Sequence, residues 1–69
     1  MRIVEQAFPV KERTNIVKTE YPAECLFQVF VKGRLQDRDT YSINGDHIDF
    51  GFDCLVPGDF VQLFYFIPN

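Results

Sequence analysis

An all-β fold, a small antiparallel β-sandwich or partly open barrel of about five to six strands, is what this sequence predicts. Three observations carry the prediction. His47 to Phe52 alternates strictly, with Ile48, Phe50 and Phe52 on one face and His47, Asp49 and Gly51 on the other. Turn signals, Asn44-Gly45 and Pro57-Gly58-Asp59, separate the apolar runs. No segment holds a helical stripe; the only candidate, Val10 to Lys18, lacks paired apolar positions.

The elements follow in order. Arg2 to Phe8 reads as an edge strand closed by Pro9, since proline cannot donate to a ladder. Thr14 to Thr19 alternates weakly and ends near Tyr21-Pro22, where the residue before proline is held extended. Cys25 to Lys32 is rich in β-branched and aromatic residues and reads as a central strand, with Gly33 turning the chain. Gln36 to Asp39 is a polar connection. Tyr41 to Ile43 is a short strand leading into Asn44-Gly45, which fits a type I′ hairpin turn because both central residues need positive φ. Val56-Pro57-Gly58-Asp59 suits a type II turn, and Phe60 to Ile67 is the last strand. We expect one domain over 1–69, with 1–13 as an N-terminal arm or edge strand and 14–67 as the core module.

Composition narrows the function. The chain has 69 residues, a net charge of −3 and 16% aromatic residues. A chain this short buries only about 60% of its unfolded surface, so a partner or staple adds much. No basic run is present to neutralise phosphates, which argues against a nucleic-acid ligand. The start, Met1 to Phe8, lacks the apolar core of a signal peptide, and no apolar run reaches membrane-helix length. Cys25 and Cys54 read as two buried thiols, with a disulfide conditional on the strand ends meeting.

Catalytic chemistry is sparse. His47 is the only histidine and lies on a wet hairpin face between Asp46 and Asp49. A base there needs a nucleophile and an orienting acid within reach. Asp46, His47, Asp49 and Asp53 have the spacing of neither a calcium loop nor a zinc site. We expect no enzyme activity, no cofactor and no metal. Arg34, Asp37, Arg38 and Asp39 read as a solvated mixed-charge loop.

The last strand is apolar on both faces, and 69 residues supply one core. Alternation assigns Phe27, Val29, Val31, Ile43, Ile48, Phe50, Phe52, Val61, Leu63 and Tyr65 to that core. The other face carries Leu26, Phe30, Phe60, Gln62, Phe64 and Phe66, and Gln28 and Gln62 mark matching sides. Three occupants compete for this face. The N-terminal strands cover it as a second sheet, another protein does, or an apolar small ligand does. The final strand is also expected to offer an edge for strand addition.

Residues 14 to 66 carry a further pattern. Thr14-Asn15, Pro22, Val29-Phe30-Val31-Lys32-Gly33, Leu35-Gln36, Thr40-Tyr41-Ser42, Asn44-Gly45, Ile48-Asp49-Phe50, and Pro57-Gly58-Asp59-Phe60-Val61 with Tyr65 follow one another. This resembles a small β-sandwich module of bacteriophage and prophage virion proteins, found in tail, fibre, neck or decoration components. Lys32 departs from the asparagine usual before that glycine, and Phe64 and Phe66 stand where small or polar residues are usual. The resemblance implies a non-catalytic structural role in a virion, after synthesis in the host cytoplasm. It also implies assembly with itself or a larger virion protein. The competing expectation is a soluble phage-encoded protein that inhibits or sequesters a host protein or small ligand.

Overall fold

The computed structural model describes residues 1–51 and 54–68. Seven strands form: β1 Arg2–Pro9, β2 Ile16–Lys18, β3 Leu26–Val31, β4 Arg34–Leu35, β5 Ser42–Asn44, β6 His47–Asp49 and β7 Phe60–Ile67. They build a four-stranded sheet in the order β1-β7-β3-β4 and a three-stranded sheet in the order β2-β6-β5, all pairings antiparallel. The described residues contain no α-helix, only single 3-10 turns at Ala23–Cys25 and Arg38–Thr40. The all-β expectation therefore holds, with seven strands, one more than the upper sequence-based count. Val10 to Lys18, the helical candidate, instead runs extended into β2, with Thr14 bridged to Leu55.

The core lies between the sheets. Val29, Val61, Leu63 and Tyr65 from the larger sheet meet Val17 and Ile48 from the smaller, and Val10, Tyr41, Phe50 and Leu55 close the ends. Each fully buried Leu or Ile side chain contributes about 1.5–3 kcal/mol. Val31 and Ile43 sit at its margin, half-buried. Phe52 lies outside the described residues. Phe27 is a correction: it is 37% exposed. The β3–β7 register shifts between Leu26 and Gln28, so β3 carries one extra residue there. Such a bulge breaks strict alternation. Leu26 consequently stands opposite Tyr65 and packs against the core, and Phe27 turns outward.

One polar side chain is built into the interior. Gln6, 4% exposed, lies on the inner face of β1. Its Nε2 donates to the Lys18 carbonyl at 2.9 Å, while its Oε1 accepts the Glu20 N–H at 3.1 Å and the Tyr65 hydroxyl. Gln6 thus ties β1, β7, the end of β2 and the segment after it together, with both its amide nitrogen and its amide oxygen bonded. Burial pushes the Tyr65 phenol up to about 12.

Turn chemistry explains the connections. Lys32 and Gly33 link β3 to β4 with φ of 55° and 78°. Positive φ at both central residues is the type I′ pattern, and Lys32 holds it without the asparagine that tolerates it best. Its ammonium reaches the Asp59 carboxylate at 3.4 Å. The second hairpin corrects the expected turn. Asn44 pairs with His47, so Gly45 and Asp46 are its central residues, and of these only Gly45 has positive φ. That is the type II′ pattern, displaced by one residue from the Asn-Gly reading. The Val56–Asp59 turn is as expected, with Asp59 N–H donating to the Val56 carbonyl at 3.0 Å and Gly58 at φ 98°.

Topology overturns the expected free edge on the last strand and removes one of the three competing occupants of its second face. β7 is flanked by β1 and β3 and has no free edge. The N-terminal strands do not lie over its second face: β1 extends the same sheet, and β2 belongs to the sheet packed on the inner side.

Candidate interaction surface

The outer face of the four-stranded sheet follows from register, because residues directly opposite across an antiparallel pair share a face. Phe60, Gln62, Phe64 and Phe66 of β7 align with Pro9, Ala7, Glu5 and Ile3 of β1. On the other side Phe64 and Gln62 align with Gln28 and Phe30 of β3, and Phe30 aligns with Leu35 of β4. Of the residues assigned to this face from sequence, the structure brings together Phe30, Phe60, Gln62, Phe64 and Phe66. Leu26 is excluded by the bulge.

The rings are organised in pairs. Phe27 stacks on Phe66 with centroids 4.0 Å apart, and Phe30 meets Phe64 edge-on at 5.5 Å. Aromatic pairs in such arrangements are worth about 0.5–1.5 kcal/mol beyond their buried area. The pairs order the face from within, so the rings are held in place while part of each stays in water. Phe60 is 45% exposed and Phe66 39% exposed, and Ile3, Phe27 and Leu35 are also exposed. Gln62 Nε2 donates to Glu5 Oε2 at 2.9 Å, the only polar side-chain pair on this face among the described residues. Exposed apolar residues gathered on one sheet face, with a polar pair among them, have the composition of an interface centre.

Sequence alternation does not reveal Ile3 and Leu35 as members of this face, because each lies in an edge or two-residue strand outside the long apolar runs. Their neighbours, Glu5 and Arg34, gave no sign that those short or edge segments join this sheet. Phe27 was missed because a bulge has no signature in apolar spacing.

Elsewhere the polar groups explain themselves structurally. His47 Nδ1 lies 2.7 Å from Asp46 Oδ1 at an exposed hairpin end. Asp49 accepts the Gly51 N–H at 2.8 Å and the Asn15 amide at 2.7 Å. The Gly51 bond first, then Asn15, hold its carboxyl below the ordinary aspartate value. Among the described residues no three potential ligands gather around a point, and Asp53 lies outside them. Cys25 and Cys54 are unpaired and half-buried, less enclosed than expected. Cys54 borders an open groove of about 650 Å3 beside the β3–β4 hairpin, where Lys32 is already engaged by Asp59. Arg38 donates to the Tyr41 carbonyl at 2.9 Å and lies 5.0 Å from that ring's centroid, so the mixed-charge loop is tied to the body. Arg34 belongs to β4 and not to that loop.

The chain matches no protein-family model, no curated protein and no solved structure, so the likeness to virion modules rests on its motifs alone.

Proposed function

We propose that this chain is a non-catalytic assembly module, of the kind expected in a phage particle, and that it acts by burying its outer aromatic face against the same face of a second copy. The observation that carries this reading is the paired aromatic face, which the chain's own second sheet leaves uncovered. Size supports a modest interface. Three strands at ~4.8 Å spacing, the longest ~26 Å, give a footprint of roughly 400 Å2 per copy. Two faces together then bury on the order of 800 Å2, below stable specific interfaces and within the range of weak, transient ones. A reversible, concentration-dependent dimer is the expected result, packed as two aligned sheets about 10 Å apart.

Sedimentation equilibrium of the purified chain tests the reading. The wild type should self-associate as its concentration rises. Phe60→Lys and Phe64→Asp should weaken the face-to-face step of that association at least tenfold while leaving the far-UV circular dichroism intact. Phe60→Lys is the safer variant, since Phe60 is the more exposed. A wild type that stays monomeric into the millimolar range rejects a second copy as the occupant.

A further inference from the structure

We propose that β1 is a strand-addition edge whose occupant is β1 of a second copy, paired antiparallel about a twofold axis beside Gln6. This contact is separate from the aromatic face and does not depend on it.

Backbone direction gives the first step. In an antiparallel ladder each residue points both its N–H and its C=O toward one neighbour, and successive residues alternate sides. Val10 N–H donates to the Asp59 carbonyl at 2.9 Å, and Gly58 N–H donates to the Val10 carbonyl at 3.1 Å. Val10 therefore faces the β7 side. The β1–β7 register is unbroken back to Arg2, so Phe8, Gln6, Val4 and Arg2 also face β7. Ile3, Glu5, Ala7 and Pro9 face away. An independent bond agrees: Lys32 N–H donates to the Phe60 carbonyl at 3.0 Å, so Phe60, the partner of Pro9, points to β3 as alternation requires. Pro9 fits too, because its missing N–H falls in the outward row and costs no bond to β7.

The outward row is open. Ile3, Glu5 and Ala7 are exposed, and no backbone bond outside the β1–β7 ladder reaches them among the described residues. Proteins usually blunt a long edge with lysine, an internal proline, a bulge or a cover. From Arg2 to Phe8 the strand has no lysine, proline or bulge. The opposite edge of the same sheet, β4, is blunted by being only two residues long.

Self-complementarity selects the occupant. A strand related by a twofold axis presents the same row of donors and acceptors, so each bond is made twice. Of the registers that bring outward residues opposite each other, the two centred on Glu5 and Gln6 make the most inter-chain bonds along β1. The one centred on Glu5 sets Glu5 against Glu5, and like charges directly opposite are destabilising. The one centred on Gln6 sets Glu5 against the partner's Ala7 and Ile3 against the partner's Pro9. It makes about six inter-chain hydrogen bonds, as many as the other, because the Pro9 carbonyl still accepts. Val4 then stands opposite the partner's Phe8 on the inner side. The result is one continuous sheet with both aromatic faces on the same side.

Amide hydrogen exchange by NMR across a concentration series, with sedimentation in parallel, tests this on the full chain. The Ile3, Glu5 and Ala7 amides should exchange freely in dilute solution and gain at least tenfold protection as the dimer forms. Ala7→Pro should keep the fold, because its N–H faces outward, and abolish that protection. Ala7→Lys, placed opposite the partner's Glu5, should tighten the dimer several-fold, and Ala7→Glu should loosen it by a similar factor. Phe60→Lys should leave the edge protection in place, which separates this contact from the face. Concentration-independent exchange at those amides overturns strand addition. Equal effects of Ala7→Lys and Ala7→Glu overturn the register. Loss of fold in both Ala7→Pro and Glu5→Pro overturns the outward assignment itself.

Discussion

The two faces of β7 are almost equally apolar and meet opposite fates. On the inner face Val61, Leu63 and Tyr65 are each 0% exposed; on the outer face Phe60 is 45% and Phe66 39% exposed. Composition does not separate them, for the outer face has the larger side chains. The difference lies in what each face can interlock with. The inner side offers short aliphatic side chains to Val17 and Ile48, which fill the space between sheets, and one buried hydroxyl that Gln6 satisfies. The outer rings pair with one another and leave a flat surface. A strand's hydrophobicity thus does not say which of its faces the fold encloses; topology decides that.

The largest expected effect tests that asymmetry head-on. Leu63→Ala should cost about 2–5 kcal/mol through lost burial and the cavity left behind. In a domain this small that removes much of the stability, visible as a lowered or lost thermal transition. Phe60→Ala, an equally drastic truncation on the other face, should leave the melting temperature of the dilute monomer nearly unchanged. Comparable losses at both positions would erase the distinction between the faces. Next, Gln6→Leu removes the one side chain that the Tyr65 hydroxyl, the Glu20 N–H and the Lys18 carbonyl all bond. The cost should be about 1–3 kcal/mol in urea unfolding, although the substitution is apolar and roughly isosteric.

Two smaller effects come from titration. The Tyr65 phenol is raised to about 12 in the folded chain from 10.0. The folded state therefore holds the proton more tightly, and this contribution is fully present below pH 10. It is lost as pH rises from 10 toward 12. Urea midpoints at pH 9 and 11 should diverge in the wild type and converge in Tyr65→Phe. On the wet side of the smaller sheet the sign reverses. The Asp49 carboxyl is held below its ordinary 3.8, so its contribution is present above that pH and fades as pH falls below it. Asp49→Asn should flatten only the acid end of the stability profile, and by the least of these effects.

Much of the architecture was legible because it rests on local rules. The Pro57-Gly58 corner, the Ile48/Phe50 alternation and the paired positions Gln28 and Gln62 all follow from turn chemistry or period two. Leu55, Val10, Val17 and Tyr41 were not assigned to the core, because each is a single buried residue at a strand end or in a short strand, where two or three positions cannot show a period. The Gly45-Asp46 turn slipped from the expected Asn44-Gly45 because a type II′ loop needs positive φ only at its first central residue, and glycine serves either frame. Gln6 ran against the tendency of glutamine to be exposed. Its burial depends on partners from three separate segments that only the folded chain assembles. The sequence offers the last strand as a free edge, whereas the edge belongs to β1, since strand order is not written in any one strand.

The extra residue in β3 has a consequence for how this surface can change over time. Leu26 and Gln28 keep their proper partners, Tyr65 and Phe64, on either side of Phe27. Removing Phe27 would restore plain alternation with every core side chain still in place. The aromatic inventory of the outer face can therefore be edited through chain length alone. Deleting or inserting one residue here removes or adds the ring that stacks on Phe66 while the interior stays as it was.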